Sequence, residues 1–177
     1  MTFLSSEASA ADEKKSSQVQ QAPLSEAETQ AAIKELRAKH LAAPIAGFSM
    51  ASIKGSFNEI RGGSKHGAAD LAAPRNTPVM AVEDGTIVKL FLSKAGGTTI
   101  YQADPSCKFV YYYAHLQKYA DNLHDGDKVK KGQVIGYVGT SGNAPPNTPH
   151  LHFAVGMGDV LRNWWQVSDL DPYEVFK

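Results

Sequence analysis

The chain has 177 residues, 42% of them hydrophobic, which is enough for one domain with a real core plus a tail. Lys+Arg and Asp+Glu are 18 each, so net charge is zero and no basic stripe marks a nucleic-acid partner. No apolar run approaches the roughly 20 residues of a membrane span, and the single cysteine, Cys107, excludes an intrachain disulfide.

Residues 1–23 are rich in Ser, Ala, Gln, Glu and Lys and have no periodic apolar face. They are expected to be a disordered tail or linker. Met1-Thr2-Phe3-Leu4 lacks a charged n-region, so no signal peptide is legible. A tether of this kind fits an export or anchor segment, or a regulatory partner, upstream. Residues 24–43 form the next unit. Ser25 and Glu28 make a capping box, and strong helix formers run from Glu26 to Lys39. Ile33, Leu36 and His40 give a thin apolar stripe, with His40 a surface residue near the helix end. Pro44 stops the helix.

From residue 44 to 177 the texture is short β-prone runs cut by turns. Strands are predicted at Pro78–Val82, Thr86–Leu92, Thr98–Gln102, Phe109–His115 and Gln133–Val138. Asp84-Gly85, Ala95-Gly96-Gly97, Asp104-Pro105-Ser106, Asp125-Gly126 and Lys131-Gly132 supply turns. The fold class is mainly β, an antiparallel sandwich or barrel-like domain with a short N-terminal helix. Cys107 follows a turn and reads as incidental.

Three segments carry chemistry. Pro149-His150-Leu151-His152-Phe153 leaves a turn and enters a β-prone run. On a strand, i and i+2 share a face, so the two imidazoles stand side by side. Neutral imidazole is the commonest zinc ligand. His66-Gly67-Ala68-Ala69-Asp70 reads as loop into strand, because Gly62, Gly63 and Gly67 argue against a helix. A catalytic zinc commonly takes three N or O ligands and keeps a fourth position for water. His66, Asp70 and one histidine of the later pair would complete such a set. In Tyr111-Tyr112-Tyr113-Ala114-His115-Leu116, alternation puts Tyr111, Tyr113 and His115 on one face. Tyr111, Tyr113 and Asn143 are the candidate lining of a substrate groove.

Together these motifs resemble the LytM or lysostaphin-type zinc metallopeptidases. The likeness runs from about Ser56 to the C-terminus. It includes His66-x-x-x-Asp70, Ala72-Ala73-Pro74-x-x-Thr77-Pro78-Val79 and Tyr113-Ala114-His115-Leu116. It continues through Gly126-x-x-Val129-x-x-Gly132-x-x-Ile135-Gly136 and Gly139-x-Ser141-Gly142 to His150-Leu151-His152-Phe153. The resemblance implies an antiparallel β fold with a groove holding one Zn2+ per chain. It implies endopeptidase action on the peptide stems of bacterial peptidoglycan, in the cell envelope, periplasmic or extracellular. By the same likeness His66, Asp70 and His152 are the zinc ligands, and His115 and His150 the non-ligand catalytic pair. His150 is assigned as base and His115 as oxyanion partner or acid, with the reverse order open. Ala68 and Asn76 stand where many members have glycine, which bears on loop geometry and not on the ligands. Trp164-Trp165 is a candidate wall of the groove.

Two other classes remain. One is a non-catalytic LytM-like module that binds wall or activates an amidase, though such modules usually lack several of the five residues. The other is a lipoyl- or biotinyl-type carrier, but Lys89 and Lys94 lie in no acceptor context.

Overall fold

A computed structural model describes residues 23–177. All of the expected tail except Pro23 lies outside them. Helix α1 spans Glu26–Ala38. Its capping box is closed: Ser25 Oγ accepts from the Glu28 N–H at 3.3 Å, and the Glu28 carboxylate accepts from the Ser25 N–H at 2.9 Å. Ala32, Ile33 and Leu36 bury one face of the helix against the sheet, while His40 lies past its end, exposed. A short helix α2 (Met50–Ile53) and a 3-10 turn (Ser56–Asn58) follow. Strands β1 (Ile60–Arg61) and β2 (Ser64–Lys65) then form a small hairpin. Its turn residues Gly62 and Gly63 have φ of +57° and +85°. Positive φ at both central residues is what a tight two-residue hairpin requires.

The body is a nine-stranded sheet in which every pair is antiparallel. Its strands are β3 (Ala69–Ala72), β4 (Pro78–Met80), β5 (Gly85–Ser93), β6 (Gly97–Ala103), β7 (Phe109–Tyr119), β8 (Lys128–Val129), β9 (Val134–Val138), β10 (His150–Met157) and β11 (Ser168–Leu170). The main path runs β11-β10-β7-β6-β5-β8; β3 adds to β10, and β9 joins the far half of β7 and carries β4. A short helix α3 (Val160–Asn163) precedes β11, and α4 (Pro172–Phe176) ends the chain. The predicted strands are all present, with ends shifted by a few residues.

Alternation sorts the side chains of β7 and β10 by face. Tyr111, Tyr113, Leu151, Phe153 and Val155 point into the core with Ile100, Ile135 and Leu71. Tyr113 and Tyr111 are fully buried, and their phenols are satisfied there. The Tyr113 hydroxyl donates to Gln102 Oε1 at 2.8 Å and accepts from the Val82 N–H at 3.1 Å; the Tyr111 hydroxyl donates to Glu83 at 2.6 Å. Burial pushes both phenol pKa values far up, so they stay protonated. The expectation that Tyr111 and Tyr113 line a groove is therefore corrected: a strand has two faces, and these tyrosines occupy the inner one.

Lys39, at the end of α1, clasps the helix to the sheet by pairing with Glu83 at 2.9 Å and Asp104 at 3.1 Å. The Asp104 carboxylate is buried in the β6–β7 turn. It accepts from the N–H groups of Lys108 and Phe109, both at 2.8 Å, and from the Ser106 hydroxyl. Burial alone would raise its pKa; these hydrogen bonds and Lys39 outweigh that and hold it below the ordinary carboxylate range. A depressed folded pKa means stabilisation present above the unfolded value of about 3.9 and lost as pH falls below it. Asp104→Asn should lower stability at pH 7 by about 1–3 kcal/mol. The gap between variant and wild type should narrow as pH is lowered from 4 toward 3, read from urea midpoints.

Candidate metal centre and active site

The face opposite the core is where the chemistry gathers. Pairing of β10 with β3 sets His152 against Asp70 and His150 against Ala72. His66 comes from the loop just before β3. Its Nε2 lies 3.2 Å from His152 Nδ1 and 3.3 Å from Asp70 Oδ1, and His152 Nδ1 lies 3.1 Å from the same Oδ1. Two ligands held 2.0–2.1 Å from a tetrahedral ion stand about 3.3–3.4 Å apart. The three donor atoms already have that spacing, so the set fits a tetrahedral ion with two nitrogens and one oxygen. Among the described residues it is the one cluster of three or more such side chains placed to hold a metal.

Backbone carbonyls decide which ring nitrogens face the centre. His66 Nδ1 lies 3.0 Å from the Ser56 carbonyl, His115 Nδ1 2.8 Å from that of Ser141, and His150 Nδ1 2.8 Å from that of Thr148. A carbonyl only accepts, so each Nδ1 carries the proton and each Nε2 keeps its lone pair. His152 is the exception, presenting Nδ1 inward. His150 Nε2 stands 3.8 Å from Asp70 Oδ1. The ring of His115 lies 4.9 Å from that of His150 and 5.6 Å from that of His152.

Burial lowers the pKa of His66 and of His115, and for His115 the neighbouring histidines add to the shift. Both are neutral at pH 7. Burial alone would raise the pKa of Asp70, but hydrogen bonds from His152 and Arg61 hold it well below the carboxylate range. One ionised carboxylate thus accepts from His152 and Arg61 and lies beside the His66 Nε2.

His115 reaches this face through a bulge. Plain alternation from Tyr113 would return it to the core. Instead β7 advances three residues, Tyr113 to Leu116, while β6 advances two, Ile100 to Thr98. His115 takes φ +60° at this point, and its N–H donates to the Gly96 carbonyl at 2.8 Å. Ala114 and His115 therefore both face the site, and Leu116 goes back to the core. Tyr112, not Tyr111 or Tyr113, is the tyrosine on this side, 6.0 Å from the His152 ring.

The cleft has a volume of about 400 Å³ and is lined by Asp70, His115, His150, Asn143 and Ala144, with Arg61 at its side. Asn143, a candidate groove residue from the sequence, is among the residues that line this cleft. Trp164 and Trp165 are not among the lining residues; Trp164 packs on Tyr101 at 4.4 Å and Trp165 on Trp164 at 5.0 Å. Asn76 has φ +68°, so it adopts the left-handed turn that a glycine would take. Sequence reasoning missed Arg61, whose one signal was the Gly62-Gly63 turn beside it, and the carbonyls of Ser56 and Thr148, which have no side-chain signal.

The sequence matches Peptidase family M23 over residues 64–163, a span that holds all five His and Asp residues of the site. It is 31% identical over 131 residues to an L-Ala–D-Glu endopeptidase of Bacillus subtilis, covering 71% of this chain and 39% of that protein. It is 38% identical over 92 residues to lysostaphin of Staphylococcus simulans, covering 51% of this chain and 18% of that one. The chain thus spans less than half the length of these relatives. The fold resembles the catalytic domain of the antimicrobial peptidase lysostaphin from Staphylococcus simulans, with a TM-score of 0.54 and 27% identity over 80% of this chain and 96% of that one. No helix among the described residues is long and apolar enough to cross a membrane. With more than half its length matched, this chain belongs to peptidase family M23.

Proposed function

We propose that the chain is a zinc-dependent endopeptidase that hydrolyses peptide cross-links of bacterial peptidoglycan in the cell envelope. One observation carries this reading: three donor atoms at 3.1–3.3 Å spacing with two further imidazoles beside them. The names of two of the similar proteins, an L-Ala–D-Glu endopeptidase and the antimicrobial peptidase lysostaphin, support a peptide substrate.

His66, Asp70 and His152 would hold the zinc. A bound zinc lowers the pKa of a water toward about 7 and polarises the scissile carbonyl. His150 keeps its Nε2 lone pair aimed into the cleft because Thr148 fixes the other nitrogen, so it is placed to take the proton of the attacking water. His115 faces the same space from β7. With its Nδ1 held by the Ser141 carbonyl, its Nε2 is the atom placed to take up a proton and pass it to the oxyanion or the departing amine. The reverse order of these two roles uses the same geometry. A wall-binding or amidase-activating module needs the fold but not this full set, and all five residues stand together here. The carrier reading falls with the family assignment.

Metal analysis of the purified chain should find one zinc, and mass spectrometry of peptidoglycan digested with it should find newly cut stem peptides. A chain that carries no zinc and leaves the digest unchanged would sink the proposal.

A further inference from the structure

One cation of the protein's own already stands at the ligand set. Arg61, in β1, donates from Nη1 to Asp70 Oδ2 at 2.5 Å and to His66 Nε2 at 3.0 Å. The second contact uses the ring lone pair, because the Nδ1 proton of His66 is committed to the Ser56 carbonyl. A guanidinium does not give up its proton, so toward that nitrogen it can only donate. A metal bound by His66 needs the same lone pair. Two cations cannot share it, and at such short range they also repel each other.

The strand bearing Arg61 is lightly held, and the anchor of its hairpin lies in β2, where the Lys65 ammonium stands 3.9 Å from the centre of the Phe57 ring. All four residues of β1 and β2 are exposed, Ile60 to 71%. Nothing lies within 4 Å of where a Cβ would project from Gly62 or Gly63. Apart from the site, among the described residues the Arg61 side chain holds only Glu59, at 2.6 Å, in an exposed ion pair. Such pairs contribute about 0–1 kcal/mol. The hairpin also runs directly into His66.

We propose that Arg61 is an internal competitor for the metal: it sets the affinity of the site and couples metal loading to displacement of the β1–β2 hairpin. The inference rests on the zinc reading above. By linkage, anything that lifts the hairpin away tightens metal binding by the same factor that metal loosens the hairpin.

The test is zinc titration of the full chain, stripped beforehand by chelation, in competition with a chromophoric chelator. Arg61→Gln should bind zinc about tenfold or more tightly than wild type. Equal or weaker binding by the variant overturns the inference and makes Arg61 a supporting partner of Asp70. A second readout needs no substitution. Trypsin must take the Arg61 side chain into its own pocket to cut before Gly62, so zinc should speed that cut in the wild type. A cut slowed or unchanged by zinc overturns the inference as well. Failure of wild type and variant alike to bind zinc would remove the proposed function together with this inference. Equal tight binding by both would remove this inference alone.

Discussion

Alanine at His150 or at His115 should leave one zinc on the chain and lower peptidoglycan cleavage by about 10²–10⁴-fold. Alanine at Asp70 should lose metal and cleavage together. The distinction comes from which atoms face which. The Asp70 Oδ1 atom is at 3.1 Å and 3.3 Å from His152 Nδ1 and His66 Nε2. Removing it leaves two ligands and no negative charge. His150 Nε2 stands farther out, at 3.8 Å from that oxygen, and His115 approaches from another strand. Neither is needed to complete the three-donor set. Zinc content and digestion measured on the same three preparations decide the roles. Loss of zinc from the His150 variant would make His150 a ligand, and wild-type cleavage by all three would place the chemistry elsewhere.

Gly97→Ala should disable the enzyme from outside the cleft. Gly97 has φ +67°, and a Cβ there would lie 2.3 Å from Ser141 Oγ and 2.4 Å from the Gly142 nitrogen. Gly142 is as tight in return, its Cβ position 2.3 Å from the Ala95 carbonyl. These two turns hold His115 at both ends: Gly96 accepts from its backbone N–H and Ser141 from its ring, each at 2.8 Å. A methyl at residue 97 must part the turns. The left-handed conformation and the overpacking together cost about 2–5 kcal/mol, or roughly 5–20 °C of melting temperature. Zinc should stay bound while cleavage falls about tenfold or more. Unchanged melting and unchanged cleavage would mean that the turns separate freely and do not position His115.

Much of this was legible in the sequence because local rules suffice for it. The capping box and helix formers placed α1 to within a residue of its observed ends. Alternation put His150 and His152 on one face, and the glycines before His66 pointed to a loop entering a strand. What was not legible depends on distant partners. The positive φ of His115 is held by Gly96 and Ser141, which no period within β7 encodes. Alternation correctly kept Tyr111 and Tyr113 together but carried no information on which face was the core. It also carried His115 along with them, across a bulge it had no means to see. The choice of ring nitrogen at His66, His115 and His150 likewise comes from the carbonyls of Ser56, Ser141 and Thr148, a group that every residue possesses.

Strand length in β7 becomes depth in the cleft. Without the extra residue, a strand reading Tyr113, His115, Leu116 would still turn its histidine away from the core. That histidine would then take the place of Ala114, directly across from His152. A ring would stand where there is now a single methyl, crowding the imidazole it faces. The inserted alanine acts as a spacer. It sets the second imidazole about one residue step, some 3.3 Å, further along the strand. The floor beside His152 is left low, with the two imidazoles of His115 and His150 at its rim and not on it.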